Sequence, residues 1–474
     1  MSTPTVSLTA SQPLNIQTKL GYGIGELSKE IPGSILVFFL LFFFTDIVGL
    51  SPGLAGGVLL IGKVWDAVND PLIGWLSDRT RSRWGKRFPW MFGGAVPLGI
   101  SFWLLLLTPP LTTQWQLFAY YAAASLLFFT ALTAVAIPHS TLAAELTHTY
   151  NERTQLVSFK SAFSIGSSIL GLVIAQVVFA VVTDVRQRYV ILGAIVGVII
   201  IVSVFICVWA TSPRYWQLQS QQPSDGPTTT HRSWREQLQF ILQLRPFLYL
   251  MGVYLCSWVA LQATAAILPY FVINCMQLSD QHFTQMVLVV QGTALFMMFF
   301  WSLIGQSIGK RATYCCGIPL TVIAQVGLFL LPPGQVAGMY GLGVLAGMGL
   351  STAYLVPWSM LPDVVDLDEL RTGQRRDGIF CGLMVQLQKL GTALAIFMVG
   401  RVLEQAGYLA QNHAGEASLI QPDTALVAIR WLLGPIPALV LLAGIGFAAR
   451  YSITRQVHDN ILLELRLSRS QAGE

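Results

Sequence analysis

The sequence predicts an all-α membrane protein of twelve transmembrane helices in two six-helix bundles, and three observations predict it. Of 474 residues, 54% are hydrophobic and only 11% are Asp, Glu, Lys or Arg, where a soluble domain carries roughly 25% charged residues. A mean hydropathy of +0.61 is too high for so much apolar surface to be hidden in a water-soluble core. The apolar residues also fall in long continuous runs, each near the roughly 20 residues that span a bilayer. This composition excludes a disordered chain, a disulfide-stapled secreted domain and a typical nucleic-acid binder. The net charge of +5 is no nucleic-acid footprint, because the basic residues sit in short segments between apolar runs.

The elements follow in order. MSTPTVSLTASQPLNIQTKL is polar and has no apolar centre, so residues 1–21 read as a tail and not as a cleavable signal. Apolar runs at 22–48, 53–76, 89–108, 115–144, 153–182 and 189–211 form a first bundle, 22–211. The longest polar interruption, 212–243, contains QLQSQQPSDGPTTTHRSWREQ and divides the runs six and six as a linker. Runs at 244–273, 283–308, 312–331, 336–361, 377–403 and 424–450 form the second bundle, 244–450, before a tail at 451–474. Long uninterrupted runs fit helices; a barrel would show short alternating segments. Two bundles joined by a linker is the simplest reading of the split, and one irregular bundle is the alternative.

Orientation comes from the loops. RTRSRWGKR (Arg79–Arg87), the 212–246 region, GKR (Gly309–Arg311) and RTGQRR (Arg371–Arg376) lie on one side, while several loops on the other side lack Lys and Arg. The positive-inside rule makes the basic side cytoplasmic, with both termini there. The expected location is the cell inner (plasma) membrane.

Charges inside the runs carry the chemistry. In LLIGKVWDAVNDPLIGWLSD, Asp66 and Asp70 are four residues apart and share one helical face, with Asn69 beside them. A carboxylate at a bilayer centre costs about 2.5–3.5 kcal/mol on insertion scales, and two close together also repel. A bound cation between them, its shell completed by Asn69 and a nearby hydroxyl, is the simplest way to hold both; oxygen donors suit a hard ion. The alternative is an ion pair with Lys63, one turn earlier. Lys29 and Glu30 interrupt the first run, Lys160 the fifth and Lys389 the eleventh. These lysines either meet a polar or anionic solute or pair with Glu30 and the aspartates. Arg401 and Glu404 read as a local pair.

At the cytoplasmic end of the tenth run, Asp363, Asp366, Asp368 and Glu369 form a carboxylate cluster beside RTGQRR. Arg153 is placed to meet them across the bundles as a lock; a solvated charge run is the competing reading. His139 reads as a packed histidine ahead of a proton relay. The six cysteines lack metal-ligand spacing and read as buried free thiols. The sequence holds no nucleophile elbow, Walker A or HExxH motif, so no enzyme is expected.

TKLGYGIGELSKEI, FFFTDIVGLSPG and VWDAVNDPLIGWLSDRTRSRWGKRFPW together resemble the glycoside–pentoside–hexuronide:cation symporter family, a branch of the major facilitator superfamily that includes the melibiose permeases. The resemblance covers nearly the whole chain and implies the major facilitator fold. It also implies a sodium site at Asp66, Asn69, Asp70 and Thr133, a solute site at Lys29, Glu30, Lys160 and Lys389, and an inner gate at Arg153, Asp363 and Asp366. Where melibiose permeases carry a carboxylate and a stacking aromatic, this chain has Ala136 and Ser140, leaving Tyr354 as the aromatic for a sugar ring. The stretch IPHSTLAAELTHTYNERTQLVSFKSAFSIG is similar instead to a bacterial branch related to the animal lysophosphatidylcholine symporters.

The expectation is a cation-coupled symporter importing a glycoside, hexuronide or related small polar solute by alternating access. An amphiphile symporter is the alternative, and a non-transporting sensor on the same fold the third reading. Sodium is the expected coupling ion, with proton and lithium as alternatives. No cofactor and no nucleic-acid partner are expected, and the chain should work as a monomer in the bilayer.

Overall fold

Hydrocarbon offers no water to a free amide, so apolar runs of this length close their own backbone hydrogen bonds as helices. The computed structural model describes residues 14–147, 150–219, 243–373, 376–410 and 421–471. Its first half comprises α1 (Ile16–Ile24), α2 (Leu27–Phe42), α3 (Pro52–Arg79), α4 (Phe88–Leu105), α5 (Gln114–Leu146), α6 (Tyr150–Val181) and α7 (Val185–Gln219). The second half comprises α8 (Arg245–Tyr270), α9 (Asp280–Ile308), α10 (Lys310–Leu330), α11 (Val336–Thr372), α12 (Asp377–Gln405), α13 (Asp423–Leu433), α14 (Pro435–Arg450) and α15 (Arg455–Gln471).

Two of the spans are made of paired helices. α1 and α2 form one span, tightened at Gly25–Glu26, where Glu26 N donates to Gly23 O at 2.9 Å. α13 and α14 form another, broken at Gly434 before Pro435. Among the described residues, 11 spans are long and apolar enough to cross a membrane. α3, 28 residues long, is the twelfth, and Lys63, Asp66, Asn69 and Asp70 along it make it more polar than the others. The twelve-helix expectation holds.

Several spans run further at the basic end than their apolar runs, most of all α1, which starts at Ile16, α7, which ends at Gln219, and α11, which ends at Thr372. Residues 1–13 of the expected leading tail and 220–242 of the expected linker lie outside the described residues. The expected trailing tail is largely helix: α15 packs on α11 and buries Ile461 and Leu465. In the basic turn after α3, Arg87 is buried, joining Asp78 at 2.6 Å to Glu145 of α5 at 3.0 Å. The six thiols are unpaired, but against the expectation of burial for all, only Cys207 and Cys275 are buried; Cys256, Cys315 and Cys381 are half-buried and Cys316 is exposed.

The core is divided unevenly. One apolar cluster runs through the first half and continues into the second through Ala266–Met276, Met286, Met339, Val399 and Leu432. A separate cluster holds the basic-loop end of the second half, around Phe247, Tyr254, Met360, Phe380 and Tyr451. The halves are therefore fused at the end away from the basic loops and part toward the basic end. Rings from both halves close the fused end, with Phe39 5.1 Å from Phe283 and Phe42 5.3 Å from Tyr270.

Candidate functional site

Asp66 and Asp70 present their carboxylates to the same side of α3, as residues four apart do. Thr133 of α5 meets both, its Oγ1 3.2 Å from Asp66 Oδ1 and 3.1 Å from Asp70 Oδ1. From the other half, Lys389 of α12 brings Nζ to 2.5 Å from Asp70 Oδ2 and 3.0 Å from Asp66 Oδ2. The carboxylates are 4% and 12% exposed, so two negative charges and one positive share a nearly dry space. Lys63, on the same cavity wall, adds a second positive charge nearby. Carboxylate and hydroxyl oxygens are the donors a hard cation takes, so the residues present fit such an ion. Among the described residues no three His, Cys, Asp or Glu side chains converge as a metal site.

Two neighbours depart from the sequence reading. Asn69 is buried but not on the cavity wall, and its Nδ2 has no hydrogen-bond partner. Lys63 places Nζ 4.7 Å over the ring of Phe129 and takes a cation–π contact in place of an ion pair with Asp66.

A second charged group lies within the first half. Lys29 does not pair with Glu30; consecutive residues on a helix point apart. It donates to Glu26 Oε1 at 2.8 Å. Glu26 is 1% exposed and also lies 4.0 Å from Lys160 Nζ and 3.4 Å from His139 Nδ1. Sequence reasoning passed over Glu26, although it is an intramembrane carboxylate one turn before Lys29. Lys29 and Glu30 line the central cavity.

That cavity, about 1200 Å³, lies between the halves and joins both groups. Its first-half wall carries Lys29, Glu30, Asp66, Asp70, Thr133 and Ser140. The facing wall is mainly apolar, with Met286, Val290, Leu295, Met298 and Leu350. Tyr354 lies on this wall 6.0 Å from Trp258, whose Nε1 donates to Thr392 Oγ1 at 2.7 Å.

Polar contacts reinforce the fused end. Tyr408 of the second half donates to buried Asp46 Oδ1 at 2.6 Å, and the Thr45 and Tyr270 hydroxyls are 2.7 Å apart. Arg188 meets Asp280 at 3.1 Å. α3 and α12 pack so closely here that a Cβ on Gly400 would stand 2.4 Å from Pro52 O. Arg401 pairs with Glu404, as expected from their spacing.

The aspartates of the expected gate have close partners within their own half. Asp363 takes Lys310 at 2.6 Å and lies 3.4 Å from His458, Asp366 lies 3.1 Å from His458, and Asp368 holds Arg376 at 2.5 Å. The partners named here belong to the second half, and His458 comes from α15. The side chain of Arg153 lies outside the described residues.

The family model described as MFS/sugar transport protein matches residues 21–455. An uncharacterised symporter of Synechocystis sp. is 41% identical, over 96% of this chain and 98% of its own. The sodium-dependent lysophosphatidylcholine symporter 1 of Gallus gallus is 24% identical, over 97% of this chain and 92% of its own. The crystal structure of the nucleoside transporter NupG superposes with a TM-score of 0.63 at 13% identity, covering 93% of this chain and 100% of that one.

Proposed function

The chain belongs to the MFS/sugar transport protein family of transporters, and we propose that it is a sodium-coupled symporter for an amphipathic solute with an anionic or zwitterionic head. The basic-loop end is the cytoplasmic side of the inner membrane under this reading, so the cavity opens inward. The observation that carries the proposal is the Asp66–Asp70–Thr133 group with Lys389 between the carboxylates.

Lys389 stands in for the coupling ion. Sodium entering beside Asp66 and Asp70 weakens their hold on Lys389, which then turns its charge to an acidic group in the cavity. Each ligand thereby favours the other, which is a coupling free energy between two sites. With both bound, sodium, Lys389 and Lys63 offset the two carboxylates and the solute's acidic group, and the midplane tolerates the dry, occluded state that alternating access requires.

The two unlike cavity walls support the amphipathic solute. Lys29 and Lys389 offer charge to a head group, and the Met286–Leu350 wall offers apolar surface to a tail. The relative from Gallus gallus is named for such a solute. A glycoside is the second reading, favoured by the Tyr354–Trp258 pair on the same wall, since aromatic faces stack on sugar rings.

Thermal stabilisation of the purified protein tests both, because a ligand that binds the native state raises its stability by mass action. Sodium should stabilise alone, and lysophosphatidylcholine or a glucuronide should add to it only when sodium is present. Greater protection by melibiose would transfer the assignment to the glycoside reading, and no response to sodium would remove the coupling ion.

A further inference from the structure

The Glu26–His139 pair is absorbed by neither the cation site nor the solute site. His139 is 1% exposed and lies under the ring of Tyr22, with centroids 4.7 Å apart and planes 19° apart. Its Nε2 is 2.9 Å from the backbone oxygen of Tyr22. A carbonyl can only accept, so Nε2 carries a hydrogen and the neutral ring keeps its lone pair on Nδ1. That Nδ1 is buried, has no hydrogen-bond partner and faces Glu26 Oε1 at 3.4 Å. Two acceptors facing each other out of water is a costly arrangement. A proton between them removes the cost.

The enclosure is built for this contact. A Cβ on Gly25 would stand 2.4 Å from His139 Nε2, so only glycine lets the ring approach the chain at the α1–α2 junction. The charged and titratable groups around the pair are Tyr22 from α1, Lys29 and Glu30 from α2, Lys160 from α6 and Cys207 from α7. Lys29 both holds Glu26 and lines the cavity.

We propose that Glu26 and His139 form a proton-binding site, separate from the aspartate pair and linked to the cavity through Lys29. While Lys29 holds Glu26, the carboxylate has its counter-charge and the site takes a proton only at lower pH. When Lys29 swings to an acidic group in the cavity, Glu26 loses that charge and a proton enters between Oε1 and Nδ1 in its place. One positive charge leaves the carboxylate and one arrives.

Nitrogen-15 histidine NMR of the full chain in lipid nanodiscs tests the site without substrate, with His139 assigned by the signal lost in His139→Gln. Wild-type Nδ1 should gain a proton as pH is lowered from about 8 to 5, a range that brackets an ordinary imidazole. Glu26→Gln should lower the midpoint, and Lys29→Gln should raise it, each by about one pH unit or more. The opposite signs let either variant decide if the other fails to fold, and the wild-type titration stands alone if both fail. Asp66→Asn should leave the midpoint in place, so failure of the sodium reading does not touch this one. A wild-type Nδ1 that never takes a proton, midpoints unmoved in both variants, or a shift in Asp66→Asn as large as in Glu26→Gln would each overturn the proposal.

Discussion

Lys389 Nζ stands 2.5 Å from Asp70 Oδ2, so a side chain of the second half closes on a carboxylate of the first at the centre of the molecule. The two residues sit on α12 and α3, the helices that press together at Gly400 and Pro52. An ion entering the aspartate site therefore meets a competitor already in place.

Removing that competitor should make the protein lean on sodium. Lys389→Ala leaves two buried carboxylates without their partner, and breaking a buried pair from one side costs about 3–5 kcal/mol. Without sodium the melting temperature should fall, and the rise produced by sodium should exceed that of wild type. Equal sodium-induced shifts in the two proteins would show that Lys389 and the ion do not share the site.

Asp66→Asn and Asp70→Asn each remove one charge from the donor set. Sodium affinity, read by isothermal titration, should drop more than tenfold in each, about 1.4 kcal/mol or more. Retained affinity in both would place the ion elsewhere.

The buried bond from Tyr408 to Asp46 joins the halves only at the fused end. Tyr408→Phe leaves a carboxylate oxygen short of a donor, at a cost of about 1–3 kcal/mol to the closed seam. The population open at that end should rise. A cysteine at Phe38, on the cavity wall, should then react faster with an impermeant maleimide applied from outside sealed cells.

Topology has its own check. In a Cys316→Ser background, a cysteine at Ser82 in the basic turn should resist impermeant maleimide in intact cells and react after lysis. Labelling in intact cells would invert the orientation.

The spans were legible because apolar length alone demands them. α15 was not, since its mean hydropathy is low and, among its described side chains, Ile461 and Leu465 are the buried ones. The aspartate pair announced itself through four-residue spacing, whereas the meeting with Lys389 depends on how two distant helices cross. Lys29 was read with its neighbour Glu30, but helical geometry hands it to Glu26, three residues back. His458 beside Asp363 and Asp366 was equally hidden, because the hydropathy pattern concealed the helix that supplies it.

The aromatic seam at the fused end carries a thermal consequence. Opening it would wet the Phe39–Phe283 and Phe42–Tyr270 contacts, and hydrating apolar surface raises heat capacity. The drive to keep such surface dry weakens on cooling. The balance between closed and open seams therefore shifts with temperature along a curve, and cold favours the open seam. A membrane that chills would find more of this protein parted at its aromatic end, before any ligand binds.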